Sequence, residues 1–108
     1  MENLTYAFAA SARAQAVQKQ ILVGVVGSGD LEVLVEPQSD QAQIRIQICT
    51  SVDGMASIWE ALMARLFAQG TLPAMRIDIN DFGATPGVVR LRVEQALEEL
   101  GLSDQSME

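Results

Sequence analysis

Histidine is absent from this sequence, and cysteine occurs once, as Cys49. Those two scarcities exclude an intrachain disulfide, a zinc site of the usual Cys/His kind, and any Ser-His-Asp or Cys-His arrangement within the chain. Lysine also occurs once, as Lys19, and the seven basic residues face fourteen carboxylates. The formal net charge of −7 repels phosphate backbones and anionic lipid, which argues against nucleic acid and membrane surfaces as partners. Long hydrophobic runs are missing too: the longest, Ile21 to Gly27, falls far short of the roughly 20 residues of a membrane helix. Met1-Glu2-Asn3 does not open a basic stretch followed by an apolar core, so no signal peptide is read and cytoplasmic residence is the default. Aromatics are sparse, at 5%.

What is there is ordinary for a globular domain: 108 residues, 49% hydrophobic and 19% charged. The length fits one domain spanning 1–108, with enough buried surface to fold without staples. An acidic surface suits docking on basic partners. Residues 1–18 read as a flexible arm or a short strand, since Tyr6 and Phe8 alternate while Ala9 to Gln18 fits either helix or arm. Gln20 to Val26 is a β-branched run, Gly27-Ser28-Gly29-Asp30 interrupts it, and Leu31, Val33 and Val35 then alternate with Glu32, Leu34 and Glu36. Two strands about a Gly-rich turn predict a hairpin. Pro37 to Gln41 forms a second turn. Ile44, Ile46 and Ile48 alternate with Arg45, Gln47 and Cys49, placing the isoleucines on a core face and Arg45 towards water.

Beyond Ser51-Val52-Asp53-Gly54, where Ser51 or Asp53 is the expected cap, Ile58, Leu62 and Leu66 form a helical stripe flanked by Met55, Trp59 and Met63. Gly70 and Pro73 end that helix. Met75, Ile77 and Ile79 predict a fourth strand. Thr85-Pro86 reads as an N-cap with proline at the first helical position, ahead of a helix burying Val89, Val93, Ala96, Leu97 and Leu100 and stopped by Gly101. The tail 103–108 is expected to be disordered. The order β-β-β-α-β-α predicts an α+β two-layer sandwich, a mainly antiparallel sheet of about four strands under two helices.

Chemistry has few places to reside. Gly27-Ser28-Gly29-Asp30 sets a serine between two residues without side chains, so the backbone can turn sharply and push the hydroxyl into solvent, where another enzyme can modify it. Asp30 is near enough to act there as a hydrogen-bond acceptor or a metal-binding carboxylate. The same four residues equally make a plain hairpin turn. The spacing of a phosphate-binding loop is absent, and a serine nucleophile has no histidine base. Asp81-Phe82-Gly83-Ala84-Thr85-Pro86-Gly87 shares a tripeptide with the kinase metal loop, but the chain lacks the other kinase motifs. It reads as a loop entering a capped helix, whose free amides also suit a phosphate or carboxylate. Cys49 reads as structural. Glu32, Glu36, Asp40, Asp53 and Asp78 are scattered and read as solvated surface, and Trp59 and Phe67 as core.

The segment Val23-Gly24-Val25-Val26-Gly27-Ser28-Gly29-Asp30-Leu31-Glu32-Val33 resembles the modified-serine region of the malonate decarboxylase delta subunit family. Met1 to Tyr6, Thr50-Ser51-Val52-Asp53-Gly54 and Asp81 to Val89 are similar to that family as well, in the same order. The resemblance implies a non-catalytic acyl carrier subunit, a phosphoprotein bearing 2'-(5''-phosphoribosyl)-3'-dephospho-CoA through a phosphodiester on Ser28, with Gly27, Gly29 and Asp30 as the flanking recognition turn. It implies acetyl and malonyl carried as thioesters on that group, and as partners an acyltransferase subunit, decarboxylase subunits and a prosthetic-group transferase. The alternatives are a citrate lyase gamma-type carrier, or an acidic adapter domain without a prosthetic group. A small enzyme using carboxylates or a bound metal is a further class, which would show turnover by the isolated chain.

Overall fold

A computed structural model of the chain describes residues 1–24 and 27–102. The elements run β1 (Glu2–Ala9), β2 (Ile21–Gly24), β3 (Leu31–Glu36), β4 (Gln43–Thr50), α1 (Ala56–Phe67), β5 (Met75–Asp81) and α2 (Pro86–Glu99). The class is α+β, but the sheet has five strands where about four were expected, in the order β1-β4-β5-β3-β2. It is also mixed. Three pairings are antiparallel, while β4 and β5 run parallel. The reason lies in α1, a crossover that returns the chain to the end where β4 began; parallel neighbours need such a connection. The end of the predicted first strand, Val25 and Val26, and the predicted tail lie outside the described residues.

The added strand is β1. Its residues Leu4, Tyr6 and Phe8 face the core and are half-buried, while Asn3, Thr5 and Ala7 face solvent. Pairing with β4 along eight residues satisfies backbone groups that would otherwise form an open sheet edge. Residues 10–20 form neither helix nor strand. Their start is fastened by backbone bonds from Ala10 N–H to the Ala42 carbonyl (3.0 Å) and from Ser11 N–H to the Leu72 carbonyl (2.7 Å).

The registers align the core. Val35, Ile77 and Ile46 stand side by side across β3, β5 and β4, as do Val33, Ile79 and Ile48, and all six are at most 1% exposed. The opposite face carries Glu32, Arg45, Gln47, Arg76 and Asn80, so the helices cover one side only. α1 lies over β1, and α2 over β2 and β3. The α1 stripe differs from expectation by one position. Trp59, Met63 and Phe67 are buried, Leu62 and Leu66 half-buried, and Ile58 is 44% exposed. The inward stripe carries the larger aromatic area, from Trp59 and Phe67. Phe67 stacks on Phe8 of β1, with ring centroids 6.4 Å apart.

The two helices start differently. Met55 precedes α1 without a side-chain cap, so neither Ser51 nor Asp53 serves as one; Asp53 instead meets the chain's amino group at 3.0 Å. Thr85 does cap α2, its hydroxyl oxygen accepting from Val88 N–H at 3.3 Å. At the other end Leu102 N–H donates to the Leu97 carbonyl and Gly101 N–H to that of Glu98, with Gly101 at φ +77. That is a Schellman stop.

Gly24, inside the run read as β-branched, has φ +105, and a Cβ there would run into the carbonyl oxygen of Leu31. Among the described residues no atom lies within 4 Å of an added Cβ at Gly27. Gly24→Ala is therefore expected to lower unfolding free energy by about 2 kcal/mol or more, and Gly27→Ala to change it by less than about 0.5 kcal/mol, as read from urea denaturation.

Candidate functional site

The site begins with a turn. Asp30 N–H donates to the Gly27 carbonyl at 3.2 Å, so Gly27 to Asp30 close a β-turn with Ser28 and Gly29 at its centre. Gly29 has φ +77 and, among the described residues, no non-glycine has a positive φ, the pattern of a type II turn with glycine at its third position. Ser28 occupies the second position and is exposed, as is Gly29, while Gly27 and Asp30 are half-buried. Among the described residues, an added Cβ on Gly27 or Gly29 would meet nothing within 4 Å. The serine hydroxyl thus stands on an uncrowded corner.

The corner is held from two sides. Gly29 N–H donates to the Phe82 carbonyl at 2.7 Å, and Phe82 N–H returns a bond to the Asp30 carbonyl at 2.9 Å. These continue the β3–β5 ladder past its last pair, Leu31 and Asp81. From the helix layer, Arg92 of α2 places Nε 3.1 Å from Asp30 Oδ1 and Nη2 2.8 Å from Oδ2, a two-pronged contact with both groups about three-quarters buried. Leu31 N–H also donates to Oδ1 at 2.7 Å. Of the two roles open to Asp30 in the sequence, the structure gives it that of hydrogen-bond acceptor. Among the described residues no three His, Cys, Asp or Glu side chains gather as metal ligands.

The loop supporting the turn is itself fastened by Asp81, which is 4% exposed. Its Oδ2 accepts from the Thr50 hydroxyl at 2.8 Å and its Oδ1 from Ala84 N–H at 2.9 Å, while its carbonyl accepts from Ser51 N–H at 3.0 Å. Glu2 reaches the same end, its Oε1 accepting from Gly54 N–H at 3.2 Å. Segments far apart in the chain, Glu2, Gly27 to Asp30, Thr50 to Gly54 and Asp81 to Thr85, therefore meet at one end of the sheet. Arg92 and Thr50 are the members of this end that sequence reasoning missed; their partners lie 62 and 31 residues away, beyond any local pattern. The carboxylates of Glu32, Glu36, Asp40, Asp53 and Asp78 are not brought together: each meets a different donor, such as Asn80 for Glu32 and Arg76 for Asp78. Cys49 lies on the face opposite the isoleucines, partly exposed.

Next to the loop, between α1 and α2, is a cavity of about 130 Å³ walled by apolar side chains including Ile58, Trp59, Leu62 and Ala84, with Asp81 its one ionisable group. Gly83 belongs both to this wall and to the seat of the turn, since a Cβ on it would lie 3.9 Å from Gly29 N.

The guanidinium of Arg92, by its hydrogen bonds, holds the Asp30 carboxyl below its ordinary value of 3.8, with the Leu31 amide acting in the same direction. A carboxylate whose pKa falls on folding adds stability above its unfolded value, and that stability is lost as pH drops through the folded value. Asp30→Asn is expected to be less stable than the native chain near pH 7, with the gap narrowing as pH falls below the ordinary carboxylate value, in urea unfolding across that range.

Comparison with known proteins places this architecture. Residues 18–100 match the family model for the malonate decarboxylase delta subunit. The chain is 57% identical over 101 residues to the malonate decarboxylase acyl carrier protein of Pseudomonas aeruginosa (strain UCBPP-PA14), and 55% identical over 101 residues to that of Stutzerimonas stutzeri (strain A1501). Each alignment covers 94% of this chain and 98% of the relative. Among solved structures it matches a chain in the crystal structure of a Pseudomonas malonate decarboxylase hetero-tetramer in complex with malonate, with TM-score 0.84, 55% identity, and coverage of 94% and 100%. With the turn, its supporting loop and the cavity all inside the matched span, the chain belongs to the malonate decarboxylase delta subunit family.

Proposed function

We propose that this chain is the acyl carrier subunit of a malonate decarboxylase complex, that it works in the cytoplasm, and that Ser28 bears its prosthetic group. The observation that carries the reading is the presentation of Ser28: an exposed hydroxyl on a turn whose backbone is bonded to one loop and whose Asp30 is gripped by one helix. A modifying enzyme needs both features. Open space around Gly27 and Gly29 admits its active site, and a rigid turn holds the hydroxyl where it arrives.

The residues present fit 2'-(5''-phosphoribosyl)-3'-dephospho-CoA joined to Ser28 through a phosphodiester, because no described residue crowds the corner and the exposed Ser28 lets the group extend into solvent. When bound, that group supplies a thiol for carrying acetyl and malonyl as thioesters. Gly27 and Gly29 leave the approach clear, Asp30 passes the grip of Arg92 to the turn, and Phe82 fixes its height on the sheet. Chemistry on the cargo then falls to partner subunits, an acyltransferase that exchanges acetyl for malonyl and a decarboxylase that releases carbon dioxide. Tethering raises the cargo's concentration at each of them. The net charge of −7 suits brief docking on basic surfaces. No described helix is long and apolar enough to cross a membrane.

Co-expression with the attachment enzymes is expected to add the mass of the phosphoribosyl-dephospho-CoA group, located by peptide mapping on Ser28. Ser28→Ala is expected to abolish that gain and the activity of the assembled complex while changing stability by less than about 0.5 kcal/mol. A phosphopantetheinyl transferase, which in helical carriers finds its serine in an Asp-Ser-Leu motif at a helix start, is expected to leave Ser28 unlabelled. No mass gain, with the attachment enzymes active on a known carrier, favours the adapter reading.

A further inference from the structure

The cavity between α1 and α2 shares a wall with the seat of the Ser28 turn, through Gly83. Its mouth is greasy: Val52 and Ile58 stand there 39% and 44% exposed, two of the few large apolar side chains left in water. Single exposed apolar residues are unremarkable. Here two of them flank an apolar hollow that adjoins the seat of the turn, within reach of a long flexible arm on Ser28.

Size and charge identify the guest. A cavity of about 130 Å³ is close to the roughly 150 Å³ of an engineered apolar cavity that admits benzene. The terminal acetyl group with its sulfur and the two adjoining methylenes has about as many non-hydrogen atoms as benzene. The bicyclic adenine at the near end of the arm is larger, and polar at its edge. A malonyl terminus would bring a carboxylate into walls that offer it no cation, beside the Asp81 carboxylate, whose oxygens already accept from Thr50 and Ala84. Moving a carboxylate from water against apolar walls, next to a second carboxylate and with no cation, is disfavoured. We infer that this cavity is a binding site for the acetyl thioester end of the prosthetic arm and rejects the malonyl form, so that the carrier shelters its resting cargo and leaves the reactive cargo in solvent. The inference rests on the carrier reading given above.

The test uses the full chain loaded on Ser28 in acetyl and malonyl forms, each verified by intact mass. Two readouts are followed: the rate at which hydroxylamine cleaves the thioester, and the fluorescence of Trp59, the one tryptophan of the chain and part of the cavity wall. A docked fraction of about 80% slows external attack about fivefold, because only the undocked remainder reacts. The acetyl form is expected to show that protection and a shifted Trp59 emission relative to the unloaded chain. The malonyl form is expected to react like a free malonyl thioester and leave Trp59 unchanged. Ala84→Leu, which fills the cavity, and Ile58→Glu, which sets a carboxylate at its exposed mouth, are each expected to remove the acetyl protection; the second covers failure of the first to fold.

Equal protection of both forms, or of neither, overturns the proposal while leaving the carrier reading intact. So does a result in which the variants weaken assembly with the other subunits but leave thioester reactivity of the free chain unchanged, which assigns the cavity to a partner's apolar side chain. Failure to load Ser28 at all, with active attachment enzymes, overturns both readings together.

Discussion

The buried carboxylate of Asp81 is the fastener on which the functional end depends. It sits at the end of the central strand, and its two side-chain oxygens and its carbonyl receive donors from Thr50, Ala84 and Ser51. A carboxylate taken from water must have its oxygens satisfied, and here the donors come from the end of β4 and from the loop after β5, while Ser51 ties the loop after β4 to the Asp81 carbonyl. Satisfying it therefore fixes the spacing of those loops. The Phe82 backbone, one residue on, is then in position to exchange hydrogen bonds with Gly29 and Asp30. The Ser28 turn inherits its place from a side chain it does not touch.

The turn is nevertheless a compromise between rigidity and access. Its backbone is bonded and its Asp30 is gripped, yet the serine side chain and both glycine flanks face open space. The grip comes from α2, on the covered side of the sheet. The opposite face, with Arg45, Arg76 and Asn80, takes no part in it.

Much of this was legible in the chain. The Ile44-Ile46-Ile48 alternation reads correctly because one face of β4 is buried and the other wet. The Gly-Ser-Gly-Asp turn reads correctly because glycine marks sharp backbone. α1 misleads because Ile58-Leu62-Leu66 and Trp59-Met63-Phe67 are two apolar stripes one residue apart, and the choice between them depends on what packs against the helix, as Phe8 of β1 does against Phe67. The direction of β5 relative to β4 has no signature in a period of two, and β1 shows too few alternations to declare itself before its partner is known. Of the site, the turn was visible but its anchors were not. Asp30 and Arg92 sit 62 residues apart, and nothing local in either segment points to the other.

The sheet order also sets a schedule. β1 must wait for β4, and β5, which lies between β4 and β3, is the last strand to be synthesised although it occupies the middle. Until it inserts, the β1–β4 pair and the β2–β3 hairpin are separate pieces with nothing to join them. Long-range pairings of this kind form late in folding. The seat of the Ser28 turn is the loop directly after β5, and its clamp is α2, later still. A nascent or misfolded chain thus contains the serine but lacks the platform that presents it. On the proposed carrier reading, an enzyme that reads the platform rather than the bare Gly-Ser-Gly sequence would modify only finished molecules, and its product would double as a mark of completed folding.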